Sequence, residues 1–173
     1  MSQIKSRYIH SHLSSRQIPD LLQTIFASEL VCPSKTIWLV SPWISDIPIL
    51  ENSANQFISL EPTLSGGMVR LAEVLIKLVS MGTRVCVVTR PDMHNSDFLN
   101  SLGSRATEFR DYLKIIKAEE LHEKGLLGDD YYLAGSMNFT YNGITLNQEA
   151  VHFTTDPHSV AVNKLDFSSR WGG

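Results

Sequence analysis

Two cysteines in 173 residues, Cys32 and Cys86, cannot build a disulfide framework. That sets aside the small secreted scaffolds that depend on one and points to a reducing compartment. No stretch approaches the roughly 18 consecutive apolar residues of a membrane span. The N-terminus, MSQIKSRYIHSHLSS, lacks the apolar core of a secretory signal. The expectation is a cytoplasmic protein with no membrane partner. An excess of one charge is missing too. Fifteen Lys and Arg against 18 Asp and Glu leave a net charge of −3, so no global field draws the chain to nucleic acid or anionic lipid. There is no internal repeat and no low-complexity segment. His10-Ser-His12 has no carboxylate or cysteine beside it, and two histidines alone are a poor zinc signal; no metal site and no cofactor are expected.

What is present reads as one globular domain over 1–173, with 43% hydrophobic residues to build its core. Residues 1–16 are polar and locally basic, and read as a solvated arm or, more sharply, as a nucleic-acid or partner contact. IPDLLQTIFASEL (18–30) carries apolar residues at helical spacing, and Pro33-Ser34 ends it. KTIWLVSPWI (35–44) reads as a buried strand. Residues 46–66 read as a loop. MVRLAEVLIKLVSMG (68–82) reads as a helix stopped at Gly82. RVCVVTRP (84–91) is a second buried strand, with Cys86 an interior thiol. A partly helical segment follows, then the strand LKIIKA (113–118), a hairpin over 121–136, the strand NQEAVHFTTD (147–156) and a closing helix (157–171) with Pro157 at its start. This order predicts an α/β protein with helices on a mixed sheet.

The hairpin carries the chemistry. LHEKGLLGDDYYLAGSMNFT (121–140) turns at Gly128-Asp129, read as a two-residue loop. That register sets Lys124 opposite Leu133 and His122 opposite Gly135, with His122 and Lys124 on one face by the period-two rule. Gly135, without a side chain, would leave space above His122. Ser136 and Asn138 follow at the same end. Such a set suits a phosphate diester. An imidazole attacks phosphorus or protonates a leaving oxygen, a lysine holds non-bridging oxygens, and Ser and Asn stabilise the charge that grows there. Glu149, on the following strand, is the nearest acid that would orient His122. Trp38 and Trp43 flank Ser41-Pro42, where one lines a site or both enter the core. Arg70, Arg84 and Arg90 read as ordinary surface charges that are also available for backbone contacts to DNA.

These residues resemble the signature of the phospholipase D superfamily: His122-x-Lys124, four residues, Asp129, then Gly135-Ser136-x-Asn138, with TIWLVSPWI, the 67–91 segment and TLNQEAVHF resembling its core strands and helix. The Asp129-to-Gly135 interval is one residue shorter than the usual pattern, which suggests a tight hairpin. The resemblance implies a phospholipase D-like α/β/α sandwich with a mixed central sheet and metal-independent chemistry through a phosphohistidine. It implies His122, Lys124 and Glu149 as catalytic residues, Lys124, Ser136 and Asn138 as phosphate binders, and Asp129 and Gly135 as structural parts of the motif. Active members use two such motifs. This chain has one; His94 and His158 lack the spacing. A symmetric homodimer would supply the second.

A short, single-motif chain resembles the nucleases of the superfamily, with DNA as the expected substrate. The wording of 122–143 also resembles the phospholipase D-like component of deazaguanine DNA-modification clusters, which implies restriction or defence and further protein partners. Two other readings stay open: a non-catalytic nucleic-acid-binding subunit of a larger complex, and a phospholipase or small phosphodiesterase.

Overall fold

A computed structural model describes residues 5–12, 16–54 and 66–172. Its framework is a seven-stranded sheet in the order β1-β9-β8-β7-β2-β5-β6. The strands are β1 (Ser6–His10), β2 (Thr36–Val40), β5 (Arg84–Thr89), β6 (Leu113–Lys117), β7 (Gly125–Leu127), β8 (Tyr132–Gly135) and β9 (Ala150–Thr154); β3 (Pro48–Glu51) and β4 (Met68–Arg70) pair separately. β2, β5 and β6 run parallel, while β7, β8, β9 and β1 continue from β2 in antiparallel steps. β2 and β5 are apolar through their cores, as strands covered on both faces must be, while β6 (LKIIK) is a largely exposed edge strand.

Two apolar layers confirm the sandwich. One face of the sheet (Ile37, Leu39, Val85, Val87, Leu126, Leu133, Val151) packs under α1 (Gln17–Val31), α2 (Leu71–Ser80), α3 (Ser96–Arg105) and α4 (Tyr141–Thr145). The other face (Trp38, Val40, Cys86, Val88, Leu127) packs under α5 (Pro157–Trp171) through Val160 and Phe167. Pro157 opens α5 as expected, and Asp156 caps it by accepting from the amide of Ser159. Burial pushes the Cys86 thiol up to about 11, against a smaller opposing pull from Lys114.

Four expectations need correction. The polar N-terminal segment is not wholly a solvated arm: residues 6–10 form an edge strand paired with β9, because Ile9 has an apolar layer to enter. The segment 68–82 is not all helix. Met68–Arg70 pairs with β3, whose residues fall in the expected loop over 46–66, and the helix starts at Leu71. Of that loop, residues 55–65 lie outside the described residues, as do 1–4 and 13–15 of the N-terminal segment.

The hairpin register is the third correction. Gly125 pairs with Ala134, Leu126 with Leu133 and Leu127 with Tyr132. The connection therefore runs over 128–131, closed by the Gly128 amide donating to the Tyr131 carbonyl at 3.1 Å. A shift of two residues keeps the paired residues of β7 and β8 on their expected faces, while His122 and Lys124 precede β7 and lie outside the ladder. The turn is longer because it is shaped by tertiary contacts: Asp129 bonds to residues before β2, and a Cβ on Gly128 would meet the Tyr131 ring at 2.5 Å. Gly135 is the fourth. It does not clear space over His122; a Cβ there would lie 2.2 Å from the Ala150 carbonyl oxygen, so this glycine permits β8 to approach β9.

Candidate active site

Strand direction gathers the candidate residues. β7 is antiparallel to β2, so its N-terminal approach, with His122 and Lys124, lies at the carboxyl end of β2. β8 returns antiparallel and delivers Gly135 and Ser136 to that same end; β9 runs back from it, starting just after Glu149. Parallel β5 ends there too, at Thr89 and Arg90. The carboxyl edge of parallel strands in an open α/β sheet is where ligands bind, since loops rather than strands fill the space beyond it.

Hydrogen bonds knit this edge together. Ser41, wholly buried after β2, donates to the Trp43 carbonyl at 2.9 Å and stands 3.3 Å from Oδ1 of Asn138. Ile44 and Phe139 form a parallel bridge beside it, which fixes where the Gly-Ser-x-Asn segment leaves the sheet. The Asn138 carbonyl faces Gly143 of α4 so closely that a Cβ on Gly143 would reach 2.2 Å. Ser136 Oγ donates to the Glu149 carboxylate and accepts from the Ala150 amide at 3.0 Å. Asn147 Nδ2 adds a weaker contact to Glu149 at 3.4 Å. Lys124 donates to the carbonyl of His122 at 2.7 Å.

His122 is exposed, and its ring is met by Arg90. One guanidinium nitrogen stands 3.0 Å from Nε2 and 3.3 Å from Nδ1. The two ring lone pairs diverge, so a donor this near to both sits against the ring rather than in line with either. Arg90 Nε donates to the Leu121 carbonyl at 2.8 Å, and its guanidinium carbon lies 5.4 Å from the Trp43 ring centre. That is within cation–π range. Trp43 in turn donates to Asp92 at 3.2 Å. The His94 amide and then the Trp43 indole hold the Asp92 carboxyl below its ordinary value. Glu149 is occupied by Ser136 and Asn147, while Arg90 is the neighbour of the His122 ring.

The two tryptophans separate. Trp38 is core, its indole donating to the Gly172 carbonyl at 2.7 Å; Trp43 is half-buried at the site. Tyr131 and Tyr132 both pack inward, on opposite faces of the hairpin. Asp129 lies at the far end of the hairpin from His122. Among the described residues, no group of three or more His, Cys, Asp or Glu is placed to hold a metal ion, and no helix is long and apolar enough to cross a membrane. A groove of about 770 Å³ between α5 and the hairpin turn, lined by Trp38, Asp129, Lys164 and Leu165, includes Asp129 but none of His122, Lys124, Ser136, Asn138 and Glu149.

Sequence reasoning passed over Ser41 and Asp92 and undervalued Arg90. The available signal was positional: Ser41-Pro42 and Arg90-Pro91 end adjacent parallel strands, where an α/β site opens.

Residues 47–171 match the family model described as cardiolipin synthase, PLD-like domain. The chain belongs to the phospholipase D-like family. No curated protein sequence matches it. Solved structures share the fold at low identity. NucT from Helicobacter pylori aligns with a TM-score of 0.60 at 15% identity, covering 95% of this chain and 94% of that one. Nuc from Salmonella typhimurium, a phospholipase D family member, aligns with a TM-score of 0.61 at 15% identity, covering 96% and 93%. TrmBL2, an archaeal chromatin protein, aligns at 0.55 and 14% identity, over 99% of this chain and 54% of that one. The matched region of the family model contains the whole hairpin, Arg90 and Glu149.

Proposed function

We propose that this chain is a homodimeric, metal-independent phosphodiesterase that cleaves nucleic acid, DNA first among candidates, through a phosphohistidine intermediate. The observation that carries the reading is one imidazole, one lysine, Ser136, Asn138 and Glu149 gathered at one sheet edge, in a chain with one copy of the motif. The family and the fold shared with two Nuc proteins support it.

Chemistry needs two imidazoles and the chain offers one. In a twofold assembly, His122 of one subunit attacks phosphorus, forming a P–N bond as the P–O bond to the leaving group breaks. The partner's His122 enters protonated and gives its proton to the leaving oxygen. It then takes a proton from water, whose oxygen attacks phosphorus and breaks the P–N bond. Lys124 and Asn138 hold the non-bridging oxygens, where charge grows. Ser136 and Glu149 form one unit whose carboxylate serves a histidine. Since Arg90 already meets His122 of the same chain, the imidazole served is the one across the axis. Exposed apolar side chains near the site, Met93, Tyr141 and Leu146, supply surface for an isologous contact.

The test is solution mass together with cleavage. The reading expects a dimer that cleaves DNA in the presence of EDTA. A strict monomer, or cleavage abolished by the chelator and restored by a divalent metal, overturns it.

A further inference from the structure

The open sheet face next to the site carries a row of aromatic rings that the proposed chemistry does not use. Among the described residues α5 packs on β7 and β8, and Tyr8 and His10 of β1 stand exposed on that side. Tyr8 is 72% exposed there. Its ring stacks on His152, with centres 4.4 Å apart and planes 26° apart. The two are direct cross-strand partners. Ser6 Oγ hydrogen-bonds His152 Nε2, which sets the lower ring of the stack. Two residues towards the site, His10 follows on the same face, its ring 5.6 Å from that of His12.

This row is registered to the candidate site through the backbone. The Ser11 amide donates to the Glu149 carbonyl at 2.9 Å, and the Ser11 hydroxyl accepts from the Glu149 amide at 2.7 Å and donates to the Asn147 carbonyl at 2.8 Å. The strand that carries the rings therefore holds the residue that binds Ser136. Along a strand, side chains on one face repeat about every 6.6 Å. Bases stacked in a duplex rise only about 3.4 Å apart and expose no ring face, so rings at the wider spacing suit unstacked bases.

We propose that this face is a stacking platform for the bases of single-stranded nucleic acid leading into the site, with Tyr8 on His152 as its anchor. It rests on the nucleic-acid reading above and narrows it to single strands. A row of exposed π faces binds every base, so the platform selects strandedness rather than sequence. Lys5 and Arg7 alternate onto the opposite face, with Ile9, and Lys5 pairs with Asp156 at 3.5 Å, so the platform rests on its rings rather than on charge.

The experiment compares wild type with Tyr8→Ala and Tyr8→Phe. Affinity for a labelled 12-residue single strand and for the matching duplex is read by fluorescence anisotropy. Hydrolysis of bis(p-nitrophenyl) phosphate, too small to reach the platform, is read in parallel. Tyr8→Ala is expected to weaken single-strand binding roughly tenfold or more and Tyr8→Phe hardly at all. Duplex binding and diester hydrolysis should stay at wild-type levels. Tyr8→Thr, which favours a strand, repeats the test if the alanine variant melts early. Single-strand affinity unchanged in both truncations overturns the platform and leaves the nuclease reading standing. Equal Tyr8 dependence for duplex overturns the single-strand assignment. A change of solution mass in Tyr8→Ala would show the face to be a contact between copies and also overturns it. Wild-type protein that binds neither strand defeats the nucleic-acid reading itself.

Discussion

The two ends of one hairpin behave as opposites. At the turn, Asp129 sits inside a closed polar network. Its carboxylate accepts from the Lys35 amide at 2.7 Å and from the Lys164 ammonium at 2.6 Å, and its amide donates to Ser34 Oγ at 2.9 Å. Ser34 in turn donates through both its amide and its hydroxyl to the buried carboxylate of Glu29, each at 2.7 Å. Three segments are locked there by these bonds. At the other end His122 and Ser136 are exposed, Lys124 turns back on the chain's own carbonyl, and the ring of His122 has Arg90 on one side and an open side. The motif therefore spans two different environments: Asp129 is enclosed at the turn, and His122 and Ser136 are exposed at the opposite end.

The largest effect should come from the open end. His122→Ala is expected to lower turnover of a phosphate diester by about three orders of magnitude or more, with the melting temperature within a degree or two of wild type. Measuring both on one preparation checks the division. A large loss of stability in this variant would erase the distinction between the ends.

The closed end should show the reverse. Asp129→Ala removes an acceptor from two cationic or backbone donors and is expected to cost about 2–3 kcal/mol of stability, read by urea unfolding. Turnover per folded molecule should be retained. Acid should act on the same network. Partial burial works to raise the Asp129 carboxyl, but Lys164 and the Lys35 amide outweigh it and hold it below its ordinary value. A carboxyl depressed in the folded state contributes stability that is present above its unfolded value of about 3.9. That contribution is lost as pH falls through the folded value. Urea midpoints taken from pH 6 downward should fall below about pH 4 more steeply for wild type than for Asp129→Asn.

The same contrast explains what was legible in the sequence. The parallel strands and α5 could be read because runs such as VCVV, and Pro157 at a helix start, report local physics. The His122-x-Lys124 and Gly135-Ser136-x-Asn138 elements could be read because their residue types are those phosphate chemistry requires. The turn register could not, since Asp129 is positioned by Ser34 and Lys35, 95 and 94 residues away in sequence. β1 was hidden because its short polar pattern becomes a strand only when β9 offers an edge. Gly135 looked like an opening beside His122, and its partner proved to be the Ala150 carbonyl, a contact no local pattern encodes.

The smallest effect, and the finest test of the open end, concerns Arg90. Its guanidinium carbon lies 5.4 Å from the Trp43 ring centre, one of its nitrogens meets the His122 imidazole, and its Nε is anchored to the Leu121 carbonyl. If it acts by shape, fixing the ring's attitude, lysine cannot replace it, because an ammonium has neither the plane nor the fork. Arg90→Ala and Arg90→Lys should then lower kcat alike, by between about tenfold and a hundredfold, with KM for a small diester little changed. If the charge alone mattered, lysine would restore most of the rate, and the loss in alanine would fall on KM as well. Trp43→Phe preserves a ring face for the guanidinium and should sit between wild type and Arg90→Lys. The order of these three variants in kcat decides whether the open end owes its geometry to a stacked arginine or merely to a nearby positive charge.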